Sequence, residues 1–153
     1  VRFSHTELLL GSKLLHEVGS FIVGKSDNIQ YIIEVVSDMA PSNAPLHGAV
    51  WQLLANLNST DKDVLYNFIE NEICTMDKSY NGNTTSTYEN CIHGVGHGVA
   101  MLFQPDYVKG TELCMLYPQL ILQYDCAGGV YMGGGIMFEI TIEDCKEALY
   151  PAS

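Results

Sequence analysis

A motif that occurs twice constrains the fold of this chain more than any other feature. Residues 91–98 read CIHGVGHG, and residues 126–133 read CAGGVYMG. Aligned without a gap, the two copies share Cys, Gly, Val and Gly at their first, fourth, fifth and eighth positions. The two shared glycines are four residues apart, so both lie on one face of a helix. Glycine inside a helix costs roughly 1 kcal/mol relative to alanine, and its repeated use predicts helices that approach one another closely.

Apolar residues recur at helical spacing along the chain, and no pair of alternating runs flanks a hairpin turn. The pattern predicts an all-α protein of about eight helices, arranged as four helical hairpins in a short α-solenoid-like array. The anchors of this repeat are His5-Thr6, His47-Gly48, His93-Gly94 and Gly128-Gly129. The predicted helices cover residues 4–23, 26–39, 46–57, 60–74, 88–103, 105–117, 126–140 and 145–149.

The cysteines follow the same organisation. Where the last helix of one hairpin ends in Cys, the next hairpin begins with one, which predicts the disulfides Cys74–Cys91 and Cys114–Cys126. Cys145 is left unpaired, because no cysteine follows it. We therefore expect residues 1–153 to be a single helical-repeat domain, cut in mid-repeat at its C-terminal end.

Net charge and cysteine usage limit the cellular compartments and the classes of partner that suit this chain. A formal net charge of −11 disfavours binding to nucleic acid, and no apolar run has the length of a transmembrane segment. Paired cysteines indicate an oxidising, extracytoplasmic location: secreted, cell-surface or periplasm-like. The sequons at Asn58 and Asn83 are candidate glycosylation sites and agree with that location.

The first copy of the motif also carries a candidate metal site. His93 and His97 are four residues apart, so their rings lie on one helix face and can share an ion. His47 and Met132 are further candidate ligands, and copper or zinc is the metal that such a ligand set suits. His5 and His16, from neighbouring hairpins, are also candidate ligands. No Glu stands between His93 and His97, so the base of an HExxH hydrolase is missing.

Two other interpretations of the motif compete with metal binding. In the first, the glycines serve helix packing, the histidines are buried structural residues, and His16 lies on the flank of the first helix. In the second, Cys91 is a nucleophile with a histidine as base, but its predicted disulfide argues against this role.

These patterns favour a protein without catalytic activity. We expect an extracytoplasmic helical-repeat scaffold or protein-interaction subunit, whose partner is another protein, in a larger assembly, or further repeats of the same chain. The alternative is a copper- or zinc-binding protein centred on His93 and His97.

Overall fold

The computed structural model describes residues 5–39, 42–76 and 87–138. Within these ranges the chain forms seven helices and no strand, so the prediction of an all-α protein is confirmed. The helices are α1 (His5–Val23), α2 (Ile29–Ser37), α3 (Ala44–Leu57), α4 (Lys62–Phe68, continued by a π-helical turn at Ile69–Ile73), α5 (Thr87–Leu102), α6 (Tyr107–Cys114) and α7 (Leu120–Phe138). None of the helices in these ranges is both long and apolar enough to cross a membrane. The predicted eighth helix, Cys145 and the sequon at Asn83 fall outside the described residues.

Several helices begin at a different residue from the one predicted, because an Asn or Asp side chain caps them. The side chain of Asn28 accepts a hydrogen bond from a backbone N–H group and starts α2. Asp61 caps α4 in the same way, and Asp106 caps α6. Helix α7 begins at Leu120 rather than at Cys126, so Cys126 forms its disulfide from within the helix.

The four odd-numbered helices form a row in which α1 packs on α3, α3 on α5 and α5 on α7. Among the shorter helices, α2 contacts α3 and the π-helical turn, and α6 contacts α5 and α7. The buried apolar side chains form one core, which includes Ile32, Leu54, Ile69, Ile92 and Val130. Each such side chain contributes roughly 1.5–3 kcal/mol when it is fully buried, so this core is a main source of the stability of the fold.

Glycines let neighbouring helices of the row approach until their backbones touch. A Cβ at Gly48 of α3 would lie 2.8 Å from the Cα of His16 in α1 and would overlap its carbonyl oxygen. A Cβ at Gly129 of α7 would lie 3.0 Å from the Cα of Gly96 in α5 and would overlap the carbonyl oxygen of His93. The close packing predicted from the glycines is therefore present where α5 crosses α7.

Two disulfides join successive elements, and they are the two pairs that the sequence predicts. Cys74 follows the π-helical turn and is bonded to Cys91 in α5, 17 residues away. Cys114, the last residue of α6, is bonded to Cys126 in α7, 12 residues away. In the chain-entropy model, closing loops of this size stabilises the folded state by about 3 kcal/mol each.

Candidate metal centre

Four histidine rings from three helices meet in the interior of the row. They are His16 of α1, His47 of α3, and His93 and His97 of α5. The ring centroid of His47 lies 5.0 Å from that of His93, 5.2 Å from that of His97 and 5.7 Å from that of His16. The centroid of His97 lies 5.1 Å from that of His93 and 5.3 Å from that of His16. His47 and His97 are thus in contact with every other ring of the cluster.

The close approach of α3 and α5 brings these rings together. His93 and His97 are one helical turn apart and project from one side of α5. Between them lies Gly94, whose missing side chain leaves room for α3: a Cβ there would stand 3.0 Å from the Cα of His47. The glycine-packing and metal-binding interpretations of the motif are therefore compatible, because the same glycine contacts bring the histidines together.

Three of the four histidines offer a set of nitrogen atoms close enough to share one ion. The ligand atoms of His16, His47 and His97 all lie within 4.8 Å of one another. Nitrogens bound to a tetrahedral zinc ion at about 2.0–2.1 Å stand roughly 3.3 Å apart. Small side-chain rotations would therefore close the set around a metal.

The ring of His47 is oriented as a metal ligand would be. It forms a hydrogen bond with the backbone of Asn90 in α5. Its Nε2 atom is buried and has no hydrogen-bond partner among the described residues, so Nδ1 makes that bond. A histidine that donates Nδ1–H to a carbonyl leaves the Nε2 lone pair for a metal. The Nε2 atom of His97 is also buried without a partner in the described ranges, and such groups require an explanation.

Burial keeps the central histidines neutral. Loss of solvation, followed by the neighbouring rings of His97, His93 and His16, lowers the pKa of His47 to about 2, against a weaker opposing effect of the Asn90 hydrogen bond. Burial, together with His93 and His16, lowers the pKa of His97 to about 3. The pKa of His93 is also lowered, mainly by burial. Neutral imidazole is the form that binds metals.

Two acidic residues lie near His93, where α5 contacts α7. Glu89 is only 4 % exposed and precedes His93 by one turn of α5. Asp125 of α7 has its pKa raised by burial and by the nearby charge of Glu89. The backbone of Asp125 forms a hydrogen bond with the ring of His93.

The structure brings some of the candidate metal ligands predicted from the sequence together and leaves others apart. His47, His93 and His97 meet as described, and the candidate ligand His16 joins them, so the other interpretation, in which His16 lies on the flank of α1, is wrong. The signal for His16 is in the sequence: its segment His16-Glu17-Val18-Gly19 matches His93-Gly94-Val95-Gly96 in two of the three positions after the histidine. The side chain of His5 lies outside the described part of the chain.

Met132 and Cys91 are not brought into the site. Met132 is 50 % exposed and lies about 100° around α7 from Gly133, the residue whose Cβ would face His97 at 3.0 Å from its Nδ1. Cys91 is bonded to Cys74 and is available neither as a ligand nor as a nucleophile. Neither the hydrogen-bonding role of Asn90 nor that of Asp125 has a sequence signal, because both act through the backbone.

Comparison with models of protein families, with curated proteins and with solved structures found no match.

Proposed function

We propose that the protein binds one divalent transition-metal ion, zinc or copper, through His16, His47 and His97. The observation that carries this proposal is the buried, unpartnered Nε2 of His47, held within ligand distance of two further histidines from other helices. Imidazole nitrogens suit zinc and copper among the common biological metals. A metal bound there would tie α1, α3 and α5 together.

Metal analysis of the purified protein tests the proposal. The protein is stripped with a chelator, dialysed against zinc or copper and analysed by mass spectrometry for metal per chain. We expect one equivalent in the unchanged protein and in the control Met132→Ala, whose side chain is exposed. His47→Ala and His97→Ala are expected to retain less than about one tenth, with circular dichroism showing that they stay helical. Equal metal content in all four proteins would overturn the proposal.

A scaffold or interaction role is the second candidate function, and exposed apolar side chains favour it. The outer helices of the row carry most of them: Leu14 and Phe21 on α1, and Leu120 and Tyr124 on α7. Exposed apolar groups that are close together are typical of interaction surfaces. The partner would be another protein, or further repeats of the same kind. The two roles are compatible, because the histidines lie inside the row and these side chains lie outside it.

We also propose that the row is a helical repeat array. Gly48 meets the backbone of His16 as Gly129 meets that of His93, so the crossing of α1 with α3 resembles the crossing of α5 with α7. This correspondence supports a repeat whose anchor in α1 is His16 rather than His5. Its other anchors, at His47, His93 and Gly128, stay as the sequence predicts.

An extracytoplasmic location is proposed on the two disulfides, which persist in oxidising compartments. The first sequon is placed so that it can be modified. Asn58 is exposed and ends α3 in the left-handed conformation, with a φ of 49°. A mass increase removed by an N-glycosidase, and absent in Asn58→Gln, would show that it carries a glycan.

A further inference from the structure

The bound metal would have a fourth coordination position that the three-histidine set does not fill. Zinc sites with three protein nitrogens keep one position for water or another exchangeable ligand. His93 is the fourth histidine of the cluster, and its ring centroid lies 5.0 Å from that of His47 and 5.1 Å from that of His97. It is nevertheless not part of the set whose ligand atoms all lie within 4.8 Å.

Helix α7 holds the ring of His93 away from that set. The ring forms a hydrogen bond with the backbone of Asp125. It also lies against Gly128, where an added Cβ would stand 3.7 Å from its Cε1 and 3.8 Å from its Nδ1. The ring is thus engaged with α7 on one side and faces His47 and His97 on the other.

Gly128 leaves space beside His93 that a side chain could fill. At Gly129, an added Cβ would overlap backbone, whereas at Gly128 it would make only ordinary contacts. Gly128 therefore does not serve close helix packing. Gly128 stands one residue before Gly129, the glycine of α7 that meets the backbone of α5. The corresponding position in α3, one residue before Gly48, is His47. At Gly128, α7 therefore lacks the large ring that α3 has at His47. Both Gly128 and His93 are partly exposed.

From this geometry we infer that the metal keeps an exchangeable position beside His93, reached past Gly128, which takes a small ligand: water or an anion of two or three atoms. The inference rests on the proposed metal binding by His16, His47 and His97. An anion there would offset part of the charge that a divalent ion brings into a site of neutral imidazoles. His93 would stand next to the exchangeable ligand as a hydrogen-bonding neighbour rather than as a ligand.

Cobalt(II) in place of the native ion tests this inference, because its visible spectrum reports the number and kind of its ligands. Azide and cyanide are titrated into the cobalt-loaded full chain. We expect a saturable spectral change in the unchanged protein and in the exposed control Met132→Leu. Gly128→Leu would fill the space beside His93, so cobalt binding is expected to remain while azide affinity falls at least tenfold. His93→Ala is expected to retain cobalt and a saturable response to azide, but with weaker azide affinity, because the variant removes the neighbouring hydrogen-bonding ring.

The outcomes separate the inference from the function on which it rests. A cobalt spectrum that neither azide nor cyanide changes would overturn the inference alone. Loss of a nitrogen ligand in His93→Ala would show that His93 fills the fourth position and would likewise overturn the inference alone. Absence of cobalt, zinc and copper binding would overturn the proposed function and the inference with it. An azide response that Gly128→Leu leaves unchanged would overturn the route past Gly128.

Discussion

His47 shows most clearly that burying the histidine cluster without a metal lowers the stability of the fold. A buried nitrogen without a hydrogen-bond partner costs roughly 1–3 kcal/mol, and both His47 and His97 have such a nitrogen in the described structure. Replacing either with an apolar side chain would remove that cost. A bound metal ion would offset it instead, because the lone pairs would then have a partner.

The low pKa values of these histidines make the metal-free protein sensitive to acid. The pKa values of His47 and His97 in the folded state, about 2 and about 3, lie below the ordinary value of 6.5. As the pH falls below about 6.5, the unfolded chain takes up protons that the folded chain does not, so the unfolding free energy decreases. Each fully neutral histidine contributes up to about 1.4 kcal/mol per pH unit in this range.

We therefore expect the chelator-treated protein to lose roughly 3 kcal/mol between pH 7.5 and pH 5.5. Urea unfolding at these two pH values measures the loss. The variant His47→Gln/His97→Gln lacks both titrating groups, and its unfolding free energy should change less over the same interval. Parallel pH dependence in the two proteins would contradict the assignment of buried, neutral histidines.

Neighbouring glycines of α7 provide a second test at the residue scale. A Cβ at Gly129 would overlap the carbonyl oxygen of His93, whereas one at Gly128 meets nothing closer than 3.7 Å. Gly129→Ala is expected to destabilise the fold by roughly 1–3 kcal/mol or more through overpacking. Gly128→Ala is expected to be neutral, or to stabilise by up to about 1 kcal/mol through helix propensity. Equal urea midpoints for the two variants would show that α5 and α7 are not in backbone contact at Gly129.

At the scale of the elements, the two disulfides stand in different relations to the cluster. Cys74–Cys91 anchors α5, which carries His93 and His97, whereas Cys114–Cys126 joins α6 to α7, neither of which supplies one of the four histidines. The two bridges should therefore contribute similarly to stability but differently to metal binding.

Removing each bridge separately tests this difference. Cys74→Ala/Cys91→Ala and Cys114→Ala/Cys126→Ala are each expected to lose about 3 kcal/mol in urea unfolding. Only the first is expected to bind zinc more weakly, by roughly tenfold, because ligand orientation depends on the elements that support it. Competition with a zinc-binding dye gives the affinities. An equal effect of both variants on zinc affinity would contradict a special role for the α5 anchor.

The helices also show which features of the fold can be predicted from the sequence. Helical periodicity predicted the all-α class, and the coordinated cysteines predicted both disulfide pairs. The first residue of each helix was harder to predict, because Asn28, Asp61 and Asp106 compete as N-caps with nearby Ser, Thr and Pro residues. The caps form where the local backbone allows the side chain to accept an N–H bond, and this geometry is absent from the residue pattern.

At the scale of the whole molecule, the candidate site depends on contacts between residues far apart in the sequence. The i, i+4 spacing of His93 and His97 is local and therefore visible, but the approach of His16 depends on how α1 crosses α3. Exposed Met132 could not be excluded from sequence, since only the packing of α7 determines which of its faces meets α5. The roles of Asn90 and Asp125 lie in their backbones, so no residue type could indicate them.

The packing of the helices in the row also determines where the histidine side chains lie. Glycine contacts bring α1, α3 and α5 together, and in doing so they bring histidines from all three helices into one interior cluster. A net charge of −11 favours cations over anions around the chain as a whole. The same contacts would thus order the row and form the metal site.

X-ray absorption at the zinc K-edge of the zinc-loaded protein tests this central claim most directly. The proposed site predicts one zinc per chain with nitrogen ligands at about 2.0–2.1 Å, and outer-shell scattering from three imidazole rings. In His47→Ala the zinc absorption edge itself should fall to less than about one tenth, because that variant is expected to retain little zinc. A first shell that contains sulfur, or one that shows no imidazole scattering, would contradict metal binding by the buried histidine cluster.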